Sequence, residues 1–149
     1  MSPPLRSADD RDALLEGLAD DTIDVLATDH APHTIEEKLR AFSEAPNGIL
    51  GLETAVGTFF STLVVPGILS ASRVTENLPT VPARILGLDC GTLEPGSPAD
   101  VTAIDPDLAW QVDANSFCSK SRNTPFHGWT LRGRAVLTLL DGGITHNIM

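Results

Sequence analysis

The sequence predicts an α/β fold, the C-terminal part of a parallel barrel followed by a small β-sandwich-like module. Three observations point there. An apolar run, Ile23-Asp24-Val25-Leu26-Ala27, reads as a buried strand and passes directly into Thr28-Asp29-His30-Ala31-Pro32-His33. Titratable side chains gathered where a strand gives way to a loop match the place where parallel barrels build active sites. A helix-type stripe precedes this run and further helix-type segments follow it as far as Gly87, which is the alternation of a β/α unit. From Leu88 the chain changes to turn-rich sequence and short strand-like runs.

Ser7 reads as a helix N-cap, with Asp9 and Asp10 in the first turn and an apolar stripe of Leu14, Leu15 and Leu18 over residues 8–19. Asp20-Asp21 end that helix, and residues 22–28 form the strand. Thr34 and Glu37 have capping-box spacing for a short helix over 34–43, and Pro46-Asn47-Gly48 signals a turn. A longer helix is predicted over 51–64, through Leu52, Ala55, Val56, Phe59, Phe60 and Leu63, with Pro66-Gly67 as its stop. Ser70 to Asn77 reads as the next helix, with Leu69, Val74 and Leu78 toward the core. Thr80 is predicted to cap a separate helix, with Pro82 in its first turn and Gly87 just past its end. Beyond the turn-rich stretch 91–98, strands are predicted at Asp100–Asp105, Ala109–Val112, Thr130–Arg132 and Arg134–Leu140. Asp141-Gly142-Gly143 then makes a hairpin turn into Ile144–Asn147. The expected division is residues 1–87, an incomplete barrel, and 88–149, the β module.

A chain of 149 residues is too short for a complete eight-fold barrel, which needs roughly 250. One strand among these helices leaves its edge hydrogen bonds unmet, so the first half reads as the end of something larger. Twenty acidic against ten basic residues give a formal charge of −10. That disfavours nucleic acid and anionic membrane as partners, because phosphate neutralisation needs clustered Lys and Arg. The N-terminus has no apolar signal region, and no apolar stretch approaches the ~20 residues of a membrane span. Cys90 and Cys118 lack metal-like spacing, and a reduced cytoplasmic setting is the default expectation.

Asp29 is the first candidate for chemistry. A carboxylate at a strand tip can bind a divalent metal and accept a proton from metal-bound water. From residue type alone it can equally cap the following loop. His33 could donate to an anionic substrate. His30 adjoins Asp29, and adjacent residues on an extended segment point oppositely, so a packing role is expected for it. At Asn47-Gly48 the glycine permits close backbone approach to a ligand, and an N–H pair at a helix start binds carboxylate. A plain turn into a helix fits the same residues. Arg6 could hold an anion or form a structural ion pair. His127 and His146 are expected to be packing or surface residues.

Together these segments resemble bacterial class I dihydroorotases of the amidohydrolase superfamily. The marks are Pro3-Pro4-Leu5-Arg6, Ala27-Thr28-Asp29-His30-Ala31-Pro32-His33, Gly48-Ile49-Leu50-Gly51-Leu52-Glu53-Thr54 and Pro82-Ala83-Arg84-Ile85-Leu86-Gly87-Leu88. Gly96-Ser97-Pro98-Ala99-Asp100-Val101 and Asn123-Thr124-Pro125-Phe126 with Gly128-Trp129 follow in the same order. The resemblance covers essentially the whole chain. It implies a metal-dependent (β/α)8 TIM barrel with one or two zinc ions at its mouth. It also implies interconversion of N-carbamoyl-L-aspartate and L-dihydroorotate in pyrimidine synthesis. Asp29 would then bind metal and shuttle the proton, with His33, Asn47, Gly48 and Ser2 as substrate contacts.

Two positions depart from the family pattern. Ser2 stands where an asparagine usually touches substrate, and Asn47 stands where an apolar residue is common. The His-x-His pair, the carboxylated lysine and the later histidines that complete the family's metal site have no counterpart here. One carboxylate falls short of the three protein ligands a catalytic zinc typically takes. The expectation is therefore a chain that is inactive by itself. Two further readings stay open: another cyclic amidohydrolase, such as an allantoinase or hydantoinase, and a non-catalytic scaffold for aspartate carbamoyltransferase. A homodimer of the complete protein is a further expectation.

Overall fold

The computed structural model describes residues 1–149. Helix α1 (Ala8–Ala19) begins where its cap signal lies. The Ser7 hydroxyl accepts the Asp10 N–H at 3.2 Å and the Asp10 carboxylate accepts the Ser7 N–H at 3.1 Å, a reciprocal capping box. The Ser7 hydroxyl also donates to the Asp10 carboxylate at 2.6 Å; this bond first, and the Ser7 N–H second, hold the Asp10 carboxyl below its ordinary range, and bonds from Thr22 do the same for Asp20 at the helix end. Leu18 turns inward, while Leu14 stays exposed.

Residues 22–28 do not form the predicted strand ladder. A parallel strand is hydrogen-bonded only through its neighbours, and this segment meets just one, at a single bridge between His30 and Ile49. It is held instead by Ile23 N–H to Gly17 O at 2.8 Å and Leu26 N–H to Asn77 O at 3.1 Å. Helix α2 (Ile35–Lys38) has the predicted Thr34–Glu37 capping box but stops at Lys38, short of residue 43.

The helix predicted from residue 51 starts later, as α3 (Ala55–Phe59), and runs straight into a π-helical turn, Phe60–Val64. Gly51 lies outside it, pressed against the strand-end segment. A Cβ at Gly51 would come within 2.8 Å of Thr28 Cβ and 2.9 Å of its carbonyl oxygen.

Thr80 does not cap a separate helix. Helix α4 (Ala71–Thr75), a π-helical turn (Glu76–Thr80) and α5 (Val81–Leu86) form one continuous run. Pro79 and Pro82 each remove a backbone donor and crowd the preceding turn. The wider i→i+5 turn absorbs them without a break. The Thr80 hydroxyl donates to Gly91 O at 2.7 Å instead. Gly87 ends the run with φ 67°, in the left-handed region as its position predicts.

After Leu88 the chain forms one antiparallel sheet in the order β1 (Val101–Gln111), β2 (Thr130–Leu140), β3 (Gly143–Asn147). The strand pieces predicted on either side of Asp107 and of Gly133 merge into β1 and β2. Irregular pairing between Asp105 and Ala109 keeps β1 continuous. The Asp105 carboxylate supports it by accepting the Asp107 and Leu108 N–H groups at 2.9 and 3.1 Å. These residues hold one sheet, and the layer packed against it is helical. β3 is exposed along its whole length.

Two small apolar clusters hold these parts. Leu18, Phe60, Leu63, Leu69 and Val74 form the first, with Ile104 of β1 against it. Leu50, Val112, Ala114, Phe117 and Leu131 form the second, which joins residues from both halves of the chain. Only 19 of 149 residues are buried, so much apolar surface stays uncovered, with Phe42 fully exposed and Leu39 79% exposed. Sheet meets helix most closely at Gly133. A Cβ there would stand 2.6 Å from Phe60 Cβ and Cγ, and its φ is +85°. Within the sheet, the Trp110 indole N–H of β1 donates to Gly133 O of β2 at 3.1 Å.

Gly133→Ala should therefore cost roughly 2–5 kcal/mol through overpacking and left-handed strain. Urea unfolding measures it, and a change below about 0.5 kcal/mol contradicts this packing. Acid should loosen the caps. The lowered carboxyls of Asp10, Asp20 and Glu37 contribute stability above their ordinary range, near pH 4, and that contribution is lost as pH falls through their lowered values. Helical circular dichroism should accordingly decline only below about pH 4; a decline centred above pH 5 contradicts the assignment.

Candidate active site at the Asp29 loop

The backbone at Asp29 is left-handed, with φ 45°. Asp tolerates this region better than most residues. Its side chain is exposed and makes no hydrogen bond within the chain, so the capping role is not taken up. The kink turns the next residues toward the 47–52 segment. His30 Nδ1 accepts the N–H groups of Gly51 at 3.1 Å and Leu52 at 3.2 Å. Nδ1 is therefore the unprotonated nitrogen, and His30 is a packing residue as read. Ala31 N–H extends the contact to Ile49 O at 2.9 Å.

Gly48 sits where these two loops touch. Its φ is +121°, and a Cβ would fall 2.4 Å from Ala31 Cβ and 3.3 Å from His33 Nε2. Only glycine allows this approach. His33 Nε2 lies 2.7 Å from Asn47 O. A carbonyl can only accept, so Nε2 carries the proton. Nδ1 faces the Glu37 carboxylate at 3.7 Å. The Thr34 N–H, joined by His33, holds the Glu37 carboxyl below the ordinary range. The His33 ring donor is thus engaged by the neighbouring loop.

Neither the Asn47 N–H nor the Gly48 N–H bonds to any group of the chain. Both are open donors, but the expected helix start is absent, since α3 begins only at Ala55. Their capacity comes from unpaired amides alone, without a helix dipole. Ser2 is exposed and makes no hydrogen bond, so nothing draws it to this loop. Arg6 pairs with Asp10 at 3.8 Å, both exposed. His127 Nδ1 accepts Ala114 N–H at 3.1 Å, and His146 is a surface residue beside Ala135 O at 3.2 Å. Cys90 and Cys118 are free thiols.

No three His, Cys, Asp or Glu side chains gather into a metal-holding group. Asp29 is a lone carboxylate donor, and zinc typically takes three protein ligands. The residues present do not make a zinc site.

Three polar residues that organise this region escaped the sequence reading. Asn123 spans both loops, Lys38 Nζ donates to Pro46 O at 2.8 Å and Gly48 O at 3.0 Å, and Glu53 accepts the Cys118 and Ser119 N–H groups at 2.8 and 3.0 Å. Asn123 stood in a quoted motif without a role. Lys38 carried only the weak signal of a cation in the last turn of α2. A cavity of about 190 Å³ opens among His33, Lys38, Arg122 and Asn123.

Residues 2–145 match the model of the amidohydrolase family. The chain is 51% identical over 146 residues to the dihydroorotase of Geobacter metallireducens, covering 98% of this chain and 34% of that protein. It is 53% identical over 144 residues to the dihydroorotase of Pelotomaculum thermopropionicum, covering 97% and 34%. Among solved structures it is similar to the L-hydantoinase (dihydropyrimidinase) of Arthrobacter aurescens, with TM-score 0.91 and 36% identity over 99% of this chain and 34% of that one. The D-hydantoinase (dihydropyrimidinase) of a Thermus species gives TM-score 0.90 and 31% identity over 99% and 33%. The chain thus spans about a third of the length of the relatives it matches. With the family model matched over residues 2–145, the chain belongs to the amidohydrolase family.

Proposed function

We propose that this chain supplies the Asp29 portion of a dihydroorotase-type cyclic amide hydrolase acting on L-dihydroorotate and N-carbamoyl-L-aspartate. The observation that carries the reading is the Asp29 carboxylate, free of internal partners, in a chain about half identical to dihydroorotases. In ring opening, Asp29 takes a proton from the attacking water and returns it to the leaving amide nitrogen. Asn47 and Gly48 offer their open N–H groups to an anionic oxygen of the substrate. His33 fixes the Asn47 peptide and, on exchanging that bond, donates to the substrate. Ser2 is retained as a contact in the assembled site.

The reading includes a division of labour. Residues 1–87 act as the end of a (β/α)8 barrel and 88–149 as its accompanying β module, in a cytoplasmic enzyme. The uncovered face of residues 23–29 would take the neighbouring parallel strand it lacks. Zinc, which the family resemblance implies, needs donors from outside these residues. The chain alone is therefore proposed to be inactive. No helix is long and apolar enough to cross a membrane.

The purified chain with added zinc should give no hydrolysis of L-dihydroorotate above the uncatalysed rate. Turnover comparable to a complete dihydroorotase contradicts the donor argument. Co-expression with the part of the Geobacter metallireducens protein outside the matched segment should restore turnover. Asp29→Asn in that pair should lower kcat by about 10²–10⁴-fold while the two chains still co-purify. Full activity in the variant removes Asp29 from the chemistry; a pair that assembles but never turns over favours the non-catalytic scaffold.

A further inference from the structure

The geometry points to Asn123 as a positioning residue that clamps the Asp29 loop to the Asn47-Gly48 loop. The inference deepens the dihydroorotase-type reading and rests on it. Asn123 lies in neither apolar cluster and is only half-buried. Its side chain is committed to the candidate site. Nδ2 donates to Ala31 O and to Gly48 O, each at 3.1 Å. Oδ1 accepts the His33 N–H at 3.4 Å. Its main-chain carbonyl accepts the Leu50 N–H at 3.0 Å. Two carbonyls on one side and an N–H on the other permit only one orientation of the amide.

The tethered groups flank the ones assigned to chemistry. Ala31 lies two residues after Asp29, His33 carries the ring donor, and Gly48 carries one of the open N–H groups. The two loops are not held equally. Gly48 O also receives Lys38 Nζ at 3.0 Å, whereas Ala31 O has no other partner. Loss of the Asn123 amide should therefore leave the Ala31 carbonyl unpaired while Gly48 O keeps Lys38, and loosen the loop around Ala31, which then rests on its remaining bonds to Asn47, Ile49, Gly51 and Leu52. The clamp is itself seated from behind. Both Glu53 carboxylate oxygens hold the Cys118 and Ser119 N–H groups, at 2.8 and 3.0 Å, and fix the segment that leads to Asn123. A residue of the β module thus sets the spacing between a proton-transfer group and a substrate-binding pair. Misplacement of about 1 Å can cost on the order of 10²-fold in rate.

The test uses the ¹⁵N-labelled full chain as wild type, Asn123→Ala and Asn123→Asp; the aspartate keeps an acceptor for His33 but has no donor. In the wild type, His33 Nε2 should appear protonated and slowly exchanging. In both variants that signal should be lost or averaged, and amide exchange at Ala31 should rise at least roughly 10-fold while the β1–β2 amides stay unchanged. A residue that only supports the fold would instead raise exchange across the sheet. In the co-expressed pair, Asn123→Asp should lower kcat by about 10–100-fold with KM altered less than threefold. An unchanged His33 signal and unchanged Ala31 exchange in either folded variant overturn the proposal, as does an undiminished kcat. If the wild-type pair shows no turnover, the enzymatic reading fails by itself, and the spectra still decide whether Asn123 holds the loops.

Discussion

The contact between Ala31 and Gly48 is the constraint on which the candidate site depends. These residues approach so closely that one added Cβ would lie 2.4 Å from another. No side chain larger than hydrogen fits. Once the loops meet, the remaining polar contacts become possible. His33 reaches Asn47 O, Ala31 N–H reaches Ile49 O, and Asn123 reaches a carbonyl of each loop. Asp29, at the turn that starts this path, is left with its carboxylate uncommitted. A structural loop would normally spend such a group on a nearby N–H.

The rest of the molecule serves this contact by stacking a sheet on helices. Gly57 of α3 meets Trp110 and Leu131 of the sheet, and Gly133 of the sheet meets Phe60 of the π-helical turn, so backbone packs against side chain at both points. The packing fixes where β1 and β2 sit, and hence where the intervening 112–129 segment returns to the loops. The same economy leaves the other faces open. Residues 23–29 lack ladder partners, and large apolar side chains such as Phe42, Leu39 and Leu52 face outward. That openness agrees with a chain spanning about a third of its relatives.

Local signals were the legible part of the sequence. Ser7 and Thr34 cap their helices, Gly87 closes its run, and the β hairpin at Asp141 turns as its residues dictate. Each depends on neighbours a few residues away. The misreadings depend on distant partners. The strand expected at 22–28 needs strands beside it, and without them apolar periodicity alone makes no ladder. The break expected at Thr80 is bridged by a π-helical turn, which a pattern built on 3.6 residues cannot reveal. Asp29 and Gly48 stood out because a strand tip and a glycine mark themselves locally. Asn123 did not, because its meaning comes from residues 75–92 positions away.

The Asp29 loop and the Asn47-Gly48 pair are proposed to form a single substrate-receiving site. Titration of the ¹⁵N-labelled chain with L-dihydroorotate tests it most directly. Saturable amide shifts concentrated at Asn47, Gly48 and His33, with the sheet unmoved, are expected. Shifts that fail to saturate, or that gather elsewhere on the chain, would contradict it.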